Sequence, residues 1–198
     1  MDARRIRLLC STAAAAALGR RDLLGALYPD ALQAGIPLED LQETTLQVFL
    51  FAGYPRTIGA FESLAAAAPS YTPPPMEPDR PDLDERGREL FARIYGTHTE
   101  RVLGHLQELH PDFRRYVVRD AYGQVLARPF LPVEERELLA VAMLGAMRLP
   151  RQLRAHVRGA LNVGASAEQI EVALEAVEAV AGAEAAAEAR TVAQEVLA

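Results

Sequence analysis

Apolar residues recur at helical spacing along most of the chain, and residues 167–181 show this most clearly. The apolar positions fall on one stripe and the glutamates on the opposite face, which predicts a surface helix packed on a core. Ser166 and Gln169 form a capping-box pair at its start, and Gly164 suits the left-handed residue that ends a preceding helix. The stripe comprises Ile170, Ala173, Leu174, Val177 and Val180, and the opposite face comprises Glu168, Glu171, Glu175 and Glu178.

The same pattern predicts helices elsewhere, and strand-like alternation is nearly missing, so the sequence predicts an all-α protein. Gly35 ends one helix, and Pro37 suits the first turn of the next, which runs to about Ala52. Gly53-Tyr54-Pro55 predicts a break before a helix over 56–68. The proline-rich stretch 69–81 predicts an extended linker. Further helices are predicted at about 84–96, 98–109 and 111–121, and then over the remainder from 134 to 198.

One helical pattern occurs twice, as Ala-Leu-x-x-Gly-x-x-x-Glu-x-Leu/Ile at 31–41 and again at 160–170, an offset of 129 residues. Such self-similarity predicts a tandem architecture of two related helical repeat units. We expect a first unit at 1–68, a proline-rich linker at 69–83 and a more complete second unit at 84–198. Leu8, Leu23 and Leu27 of the first unit stand where the second has Glu137, Gln152 and His156. Only the second unit therefore carries candidate chemistry.

Composition narrows the classes of function. The chain has 198 residues and is 50% hydrophobic, which suffices for a packed core. Its net charge of −6 argues against nucleic-acid partners, which need a concentrated basic surface. Every basic residue counted in that charge is an arginine, so Schiff-base lysine chemistry is excluded. Cys10 is the only cysteine, which excludes an intrachain disulfide and fits a cytoplasmic setting.

The N-terminal stretch has the basic and apolar segments of a secretory signal, with arginines followed by an apolar run at 8–18. That run is shorter than the roughly 20 residues needed to span a bilayer. It also aligns, at the offset of 129, with an amphipathic helix at 136–147. We therefore interpret it as a domain helix, and we expect no membrane partner.

Two polar residues of the second unit lie on apolar helix faces. His156 falls on the stripe formed by Leu153, Val157 and Ala160, and Glu137 shares a face with Val141 and Leu144. Each has a simpler interpretation, His156 as a core histidine and Glu137 as a first-turn carboxylate favoured by the helix dipole. If the two side chains meet between adjacent helices, they would form a pair suited to proton transfer.

The motifs around these residues resemble the carboxymuconolactone decarboxylase family, which also contains the AhpD-type alkylhydroperoxidases. The resemblance covers about 84–198. The first unit carries the family's tail signature instead, as Leu46-Gln47-Val48-Phe49 followed by Phe51-Ala52-Gly53-Tyr54-Pro55. The motifs of the second unit are Ile94-Tyr95-Gly96, Ala121 to Pro129, Arg136-Glu137-Leu138-Leu139 and Leu153 to Asn162 with Gly164.

The resemblance implies an AhpD-like helical fold and a choice between two reactions. The peroxidase branch needs a Cys-x-x-Cys pair, but Leu149 and Gln152 occupy the two cysteine places, so dithiol peroxidase activity is disfavoured. The decarboxylase branch needs no cofactor and protonates an enolate-like carbanion left by loss of carbon dioxide. It implies that His156 is the acid and that Glu137 or Gln152 orients it.

Further site residues follow from the same resemblance. Arg148 and Arg154 are candidates for binding the substrate carboxylates, and Gln47 or Tyr54 of the first unit could complete a composite site. The expected partner is a small carboxylated lactone or related acid. In the decarboxylases a serine is usual at the place of Glu137, which leaves the alternative of a non-catalytic binding or assembly module.

The resemblance also implies a homo-oligomer, because family members form trimers or hexamers. No metal site is predicted, since His98, His105 and His110 lie on the upstream helices with no converging ligand set.

Overall fold

A computed structural model of the chain describes residues 2–76 and 80–198, and within these ranges its regular secondary structure is helical, without a β-strand. The predicted all-α fold is therefore confirmed. The helices are α1 (Ala3–Leu18), α2 (Arg21–Gln33), α3 (Leu38–Ala67), α4 (Leu83–Tyr95), a 3-10 turn (Gly96–His98), α5 (Thr99–Leu109), α6 (Pro111–Arg115), a π-helix (Tyr116–Leu126), α7 (Val133–Ala146), α8 (Pro150–Asn162), α9 (Ala167–Ala181) and α10 (Ala183–Leu197).

The chain bends within α3 where the sequence predicts a break. Gly53 has φ 75° and ψ 179°, which a residue with a side chain rarely adopts, and the helix resumes beyond it. Among the described linker residues that follow α3, Pro69 and Ser70 form a turn and residues 71–76 have no regular secondary structure. Gln42 donates a hydrogen bond from Nε2 to the carbonyl of Thr72. This contact holds the start of the linker against α3.

The prediction of a single α-helix at 111–121 is wrong in both the length and the type of the helix. The short α6 is followed by a π-helix that continues to Leu126, so Gly123 lies inside a helix rather than beyond its end. Two glycines allow this helix to approach α4 closely. A Cβ on Gly87 of α4 would lie 2.0 Å from the carbonyl oxygen of Val118, and one on Gly123 would lie 2.1 Å from that of Leu83. The backbones of α4 and the π-helix are therefore in direct contact at these two glycines.

The main core is built around α1, as expected if 8–18 belongs to a domain helix. Its five consecutive alanines, Ala13 to Ala17, are at most 4% exposed. Small side chains permit close packing, and α1 packs against α3, α7 and α9. Helices on both sides of the linker contribute to this single cluster, from Ile6 to Leu64 and from Leu131 to Ala193. A second, smaller cluster joins α4, α5 and the π-helix.

The backbone repeats itself at the offset seen in the sequence. Subtracting 129 from the bounds of α8 gives Arg21 and Gln33, which are the bounds of α2, and α9 maps onto the part of α3 before Gly53. Residues with positive φ correspond at the same offset, as Gly19 with Arg148, Gly35 with Gly164 and Gly53 with Gly182. These matches support our proposal of two related units, whose boundaries stay a prediction. Within the described ranges, no helix has the length and apolar character needed to cross a membrane.

Candidate functional site

Glu137 and His156 face each other across the hairpin formed by α7 and α8. The distance between His156 Nδ1 and Glu137 Oε2 is 2.9 Å. The side chain of Glu137 is 1% exposed and that of His156 is 11% exposed, so the carboxylate is enclosed while the imidazole keeps access to the surface. The structure thus brings together the two residues that the sequence singled out.

Gly159 permits this arrangement, one turn after His156 on α8. A Cβ at this position would lie 2.6 Å from Glu137 Oε2 and 2.8 Å from Cγ2 of Ile94. Both distances are shorter than a carbon side chain tolerates, so only glycine leaves room for the carboxylate. The packing of Glu137 therefore explains why glycine occupies the middle of the Arg-Gly-Ala segment of the family motif.

The hydrogen bond engages one imidazole nitrogen and leaves the other. Opposite an ionised carboxylate, which only accepts, the N–H of Nδ1 donates this hydrogen bond to Glu137. This leaves Nε2 as the nitrogen that can exchange a proton with a ligand, and no hydrogen bond to it occurs among the described residues. The ring of Phe51 packs edge-on against the imidazole, with 5.4 Å between ring centroids, and holds it in place from α3.

Two tyrosines next to this pair were not singled out from the sequence. Tyr122 of the π-helix donates a hydrogen bond to the hydroxyl of Tyr95 at 3.1 Å, and both rings pack against Phe91. Burial raises the pKa of Tyr95 and raises that of Tyr122 well above its ordinary value, and the negative charge of Glu137 acts in the same direction. Both hydroxyls therefore keep their protons. The only sequence signal was their position before Gly96 and Gly123 in the family motifs.

The predicted anion-binding arginines are engaged elsewhere. Arg148 forms ion pairs with Glu184 and Glu188 of α10, and Arg154 forms one with Glu195. These are surface contacts of α10 with the α7–α8 hairpin, and neither arginine contacts His156. Gln152 is exposed on α8. The structure does not join these three residues to the Glu137–His156 pair, and their substrate-binding roles stay predictions.

The two residues expected from the first unit are also separate from the pair. Tyr54 is 70% exposed and its ring lies 4.6 Å from that of Phe49. Gln47 is fully buried and donates to the backbone carbonyl of Arg136 at 2.7 Å. It therefore serves a contact between α3 and α7, and its role in a composite site likewise stays a prediction.

A buried ionic cluster surrounds Gln47, and sequence reasoning missed it. Glu43 accepts hydrogen bonds from Arg136 at 2.9 Å and from Arg128 at 2.9 Å. Arg136 is only 1% exposed, and burial lowers its pKa although Glu43 opposes this shift. Arg136 precedes Glu137 in α7, so the cluster fixes the start of the helix that carries the candidate carboxylate.

The described residues contain no group of three or more His, Cys, Asp or Glu side chains that could hold a metal ion. Cavities formed by the described residues lie elsewhere. One of about 200 Å³ lies between α4, α5, α6 and the π-helix. One of about 320 Å³ lies between α2 and the end of α3. Neither is lined by Glu137 or His156.

Comparison with known proteins places this chain in a family. A sequence model of the carboxymuconolactone decarboxylase family matches residues 111–195, which contain both Glu137 and His156. The 4-carboxymuconolactone decarboxylase of Acinetobacter baylyi is 32% identical over 87 residues, which cover 43% of this chain and 65% of that protein.

Two fungal proteins match over more of the chain. Peroxisomal protein 2 of Schizosaccharomyces pombe is 31% identical over 173 residues, which cover 82% of this chain and 79% of that protein. Peroxisomal protein 2 of Saccharomyces cerevisiae is 25% identical over 159 residues, which cover 66% of this chain and 56% of that protein. The fold and the site define an AhpD-like helical protein. The chain belongs to the carboxymuconolactone decarboxylase family, as its motifs indicate.

Proposed function

We propose that the protein is a cofactor-free lyase that decarboxylates a small carboxylated lactone or a related acid, with His156 as the proton donor. The observation that carries this proposal is the 2.9 Å hydrogen bond between His156 Nδ1 and the enclosed carboxylate of Glu137. Such a partner holds the imidazole in one orientation and one tautomer. The other nitrogen is then free to act on a substrate.

The proposed reaction follows from this geometry. The bond between the substrate carboxylate and its neighbouring carbon breaks, carbon dioxide leaves, and the electron pair stays on that carbon as an enolate conjugated with a carbonyl. The imidazolium donates the proton on Nε2 to this carbon, and Nε2 then takes up another proton from water. Overall, one carboxylate and one proton yield carbon dioxide and a C–H bond, so no redox partner is needed.

Two further features support a role for this site in proton transfer. The tyrosine pair holds neutral hydroxyl groups near the carboxylate, where hydroxyl donors can stabilise developing negative charge. The side chain of Glu137 is 1% exposed, and exclusion of water strengthens electrostatic interactions at this position.

The second candidate function is a non-catalytic binding or assembly module. The ion pairs of Arg148 and Arg154 with α10 favour it, because they engage the cations expected to hold the substrate. We further propose that the chain assembles as a homo-oligomer, a trimer or a hexamer, in which a neighbouring copy could supply the missing cation. Two relatives are named peroxisomal proteins, which favours a peroxisome over the cytoplasm that the composition suggested.

The test is a screen of carboxylated lactones and β-keto acids for carbon dioxide release by the whole protein. Wild-type protein is compared with His156→Ala and Glu137→Gln, and with His105→Ala as a control for removal of an exposed imidazole. We expect both site variants to lose turnover by roughly 10²-fold or more, as general acid–base groups typically contribute. Equal turnover in wild type and His156→Ala would exclude the assigned role. Full retention of fold without turnover on any substrate would favour the binding module.

A further inference from the structure

The cavity between α4, α5, α6 and the π-helix is lined by several positive charges, although the chain as a whole is acidic. Its volume is about 200 Å³, and α4, α5, α6 and the π-helix form its walls. Arg88, Arg114 and Arg115 line it, together with a single carboxylate, that of Asp84. In a chain with a net charge of −6, three guanidinium groups around one small cavity are an unusual concentration.

The contacts of these arginines leave donors free. Arg115 pairs with Asp112 at 3.2 Å, and Arg114 donates from one terminal nitrogen to Gln107 at 3.3 Å. Nε of Arg114 is buried and has no hydrogen-bond partner among the described residues. Arg88 forms no ion pair within the same ranges. A buried guanidinium donor without a partner costs free energy, and like charges that share a cavity repel, so both features favour a bound anion.

The remaining wall is apolar. Leu103 is 8% exposed and Val118 is 6% exposed, and Pro111 completes the lining. The cavity is smaller than the pockets of roughly 300–1,000 Å³ that hold drug-sized ligands. Guanidinium groups match the planar carboxylate and the phosphate oxygens through paired hydrogen bonds. The site thus combines a cationic end with a hydrophobic side.

We propose that this cavity is a binding site for a small anion that carries a phosphate or carboxylate head on a compact apolar body. Arg88 and Arg114 bind the head, and Leu103 and Val118 contact the body. The site is separate from the Glu137–His156 pair, and it does not depend on the proposed decarboxylation. Val118 belongs to the same π-helix as Tyr122, and such helices often occur at functional sites.

Isothermal titration calorimetry of the whole protein at constant ionic strength tests the proposal, with phenyl phosphate, benzoate and inorganic phosphate as probes. We expect saturable binding of one phenyl phosphate or one benzoate per chain, and the tighter of the two identifies the head group. The double variant Arg88→Gln/Arg114→Gln should bind that probe at least about tenfold more weakly. Inorganic phosphate should bind more weakly than phenyl phosphate, because it lacks the apolar body.

The control is Arg93→Gln/Arg101→Gln, which removes the same charge from exposed positions on α4 and α5 that do not line the cavity. We expect its affinity to stay within about twofold of wild type, as for charges outside the site.

Asp84→Asn should bind the probe more tightly, because it removes the one negative charge of the lining. This gain cannot arise from misfolding and keeps the test decisive if the arginine variant is unstable. Wild-type protein that binds neither organic probe, or equal affinities in the two double variants, would overturn the proposal.

Discussion

Gly159→Ala tests the packing on which the candidate site depends. The substitution adds one methyl group to an interior position of α8, where it would lie 2.6 Å from Glu137 Oε2 and 2.8 Å from Cγ2 of Ile94. Ordinary contacts at these atoms need about a further ångström, so one neighbour must move. Oε2 is the far end of a flexible side chain, whereas Cγ2 of Ile94 is close to its own backbone in the second core cluster, so the carboxylate is the group that shifts.

The expected magnitude follows from three opposing contributions. Alanine stabilises a helix interior relative to glycine by roughly 0.5–1 kcal/mol. Overpacking a well-filled site costs roughly 1–3 kcal/mol. Displacement of Glu137 also weakens its hydrogen bond with His156, and hydrogen bonds to charged groups contribute about 1.5–3 kcal/mol. The costs exceed the gain, so we expect the free energy of unfolding to fall by at least about 1 kcal/mol.

Urea unfolding followed by circular dichroism measures this change, and two other glycines provide matched controls. A Cβ on Gly25 in α2 or on Gly104 in α5 would meet no atom within 4 Å, and both lie inside helices. Gly25→Ala and Gly104→Ala should therefore stabilise the protein by about 0.5–1 kcal/mol. If Gly159→Ala stabilised the protein as much as these controls, the close contact between the Glu137 carboxylate and α8 would be contradicted.

Three further predictions concern groups away from the pair. Glu43→Gln should lower the free energy of unfolding by about 3–5 kcal/mol in urea titrations, because the buried charge of Arg136 loses its carboxylate; an unchanged midpoint would contradict this. Ser166→Ala should cost about 1 kcal/mol by removing the capping box with Gln169, whereas a stability equal to wild type would show that the cap contributes nothing. Cys10 should react with a disulfide reagent only as fast as the protein unfolds, because burial raises its pKa; rapid reaction of the native protein would refute its enclosure.

The helices could be predicted from the sequence because their signals are local. The capping box at Ser166 and the break at Gly53 depend on residues within a few positions, and both are confirmed. The meeting of Glu137 and His156 was also predictable, since both lie on the apolar faces of consecutive helices joined by a short turn. The pattern of the chain thus predicts most of the fold and the pairing of Glu137 with His156.

The features that were missed depend on distant contacts. The backbone of the π-helix contacts that of α4 directly at Gly87 and Gly123, which no local pattern reveals. Arg154 is paired with a glutamate 41 residues later, on a helix whose orientation the sequence does not fix. Gln47 contacts a residue 89 positions away. Predicting the partners of polar side chains therefore requires the tertiary structure.

The difference between the two proposed units has a physical explanation in what covers them. At the places of Glu137 and His156 the first unit has Leu8 and Leu27, which are partly exposed. In the second unit α4 packs on α8, and Ile94 lies beside Gly159, so a polar pair at this position is shielded from water. Shielding strengthens the interaction between a carboxylate and an imidazole, but it also makes the burial of either group alone costly. The pair is therefore suited only to the unit that α4 covers. Loss of either partner should lower the free energy of unfolding of the whole chain more than the corresponding leucine change in the first unit would.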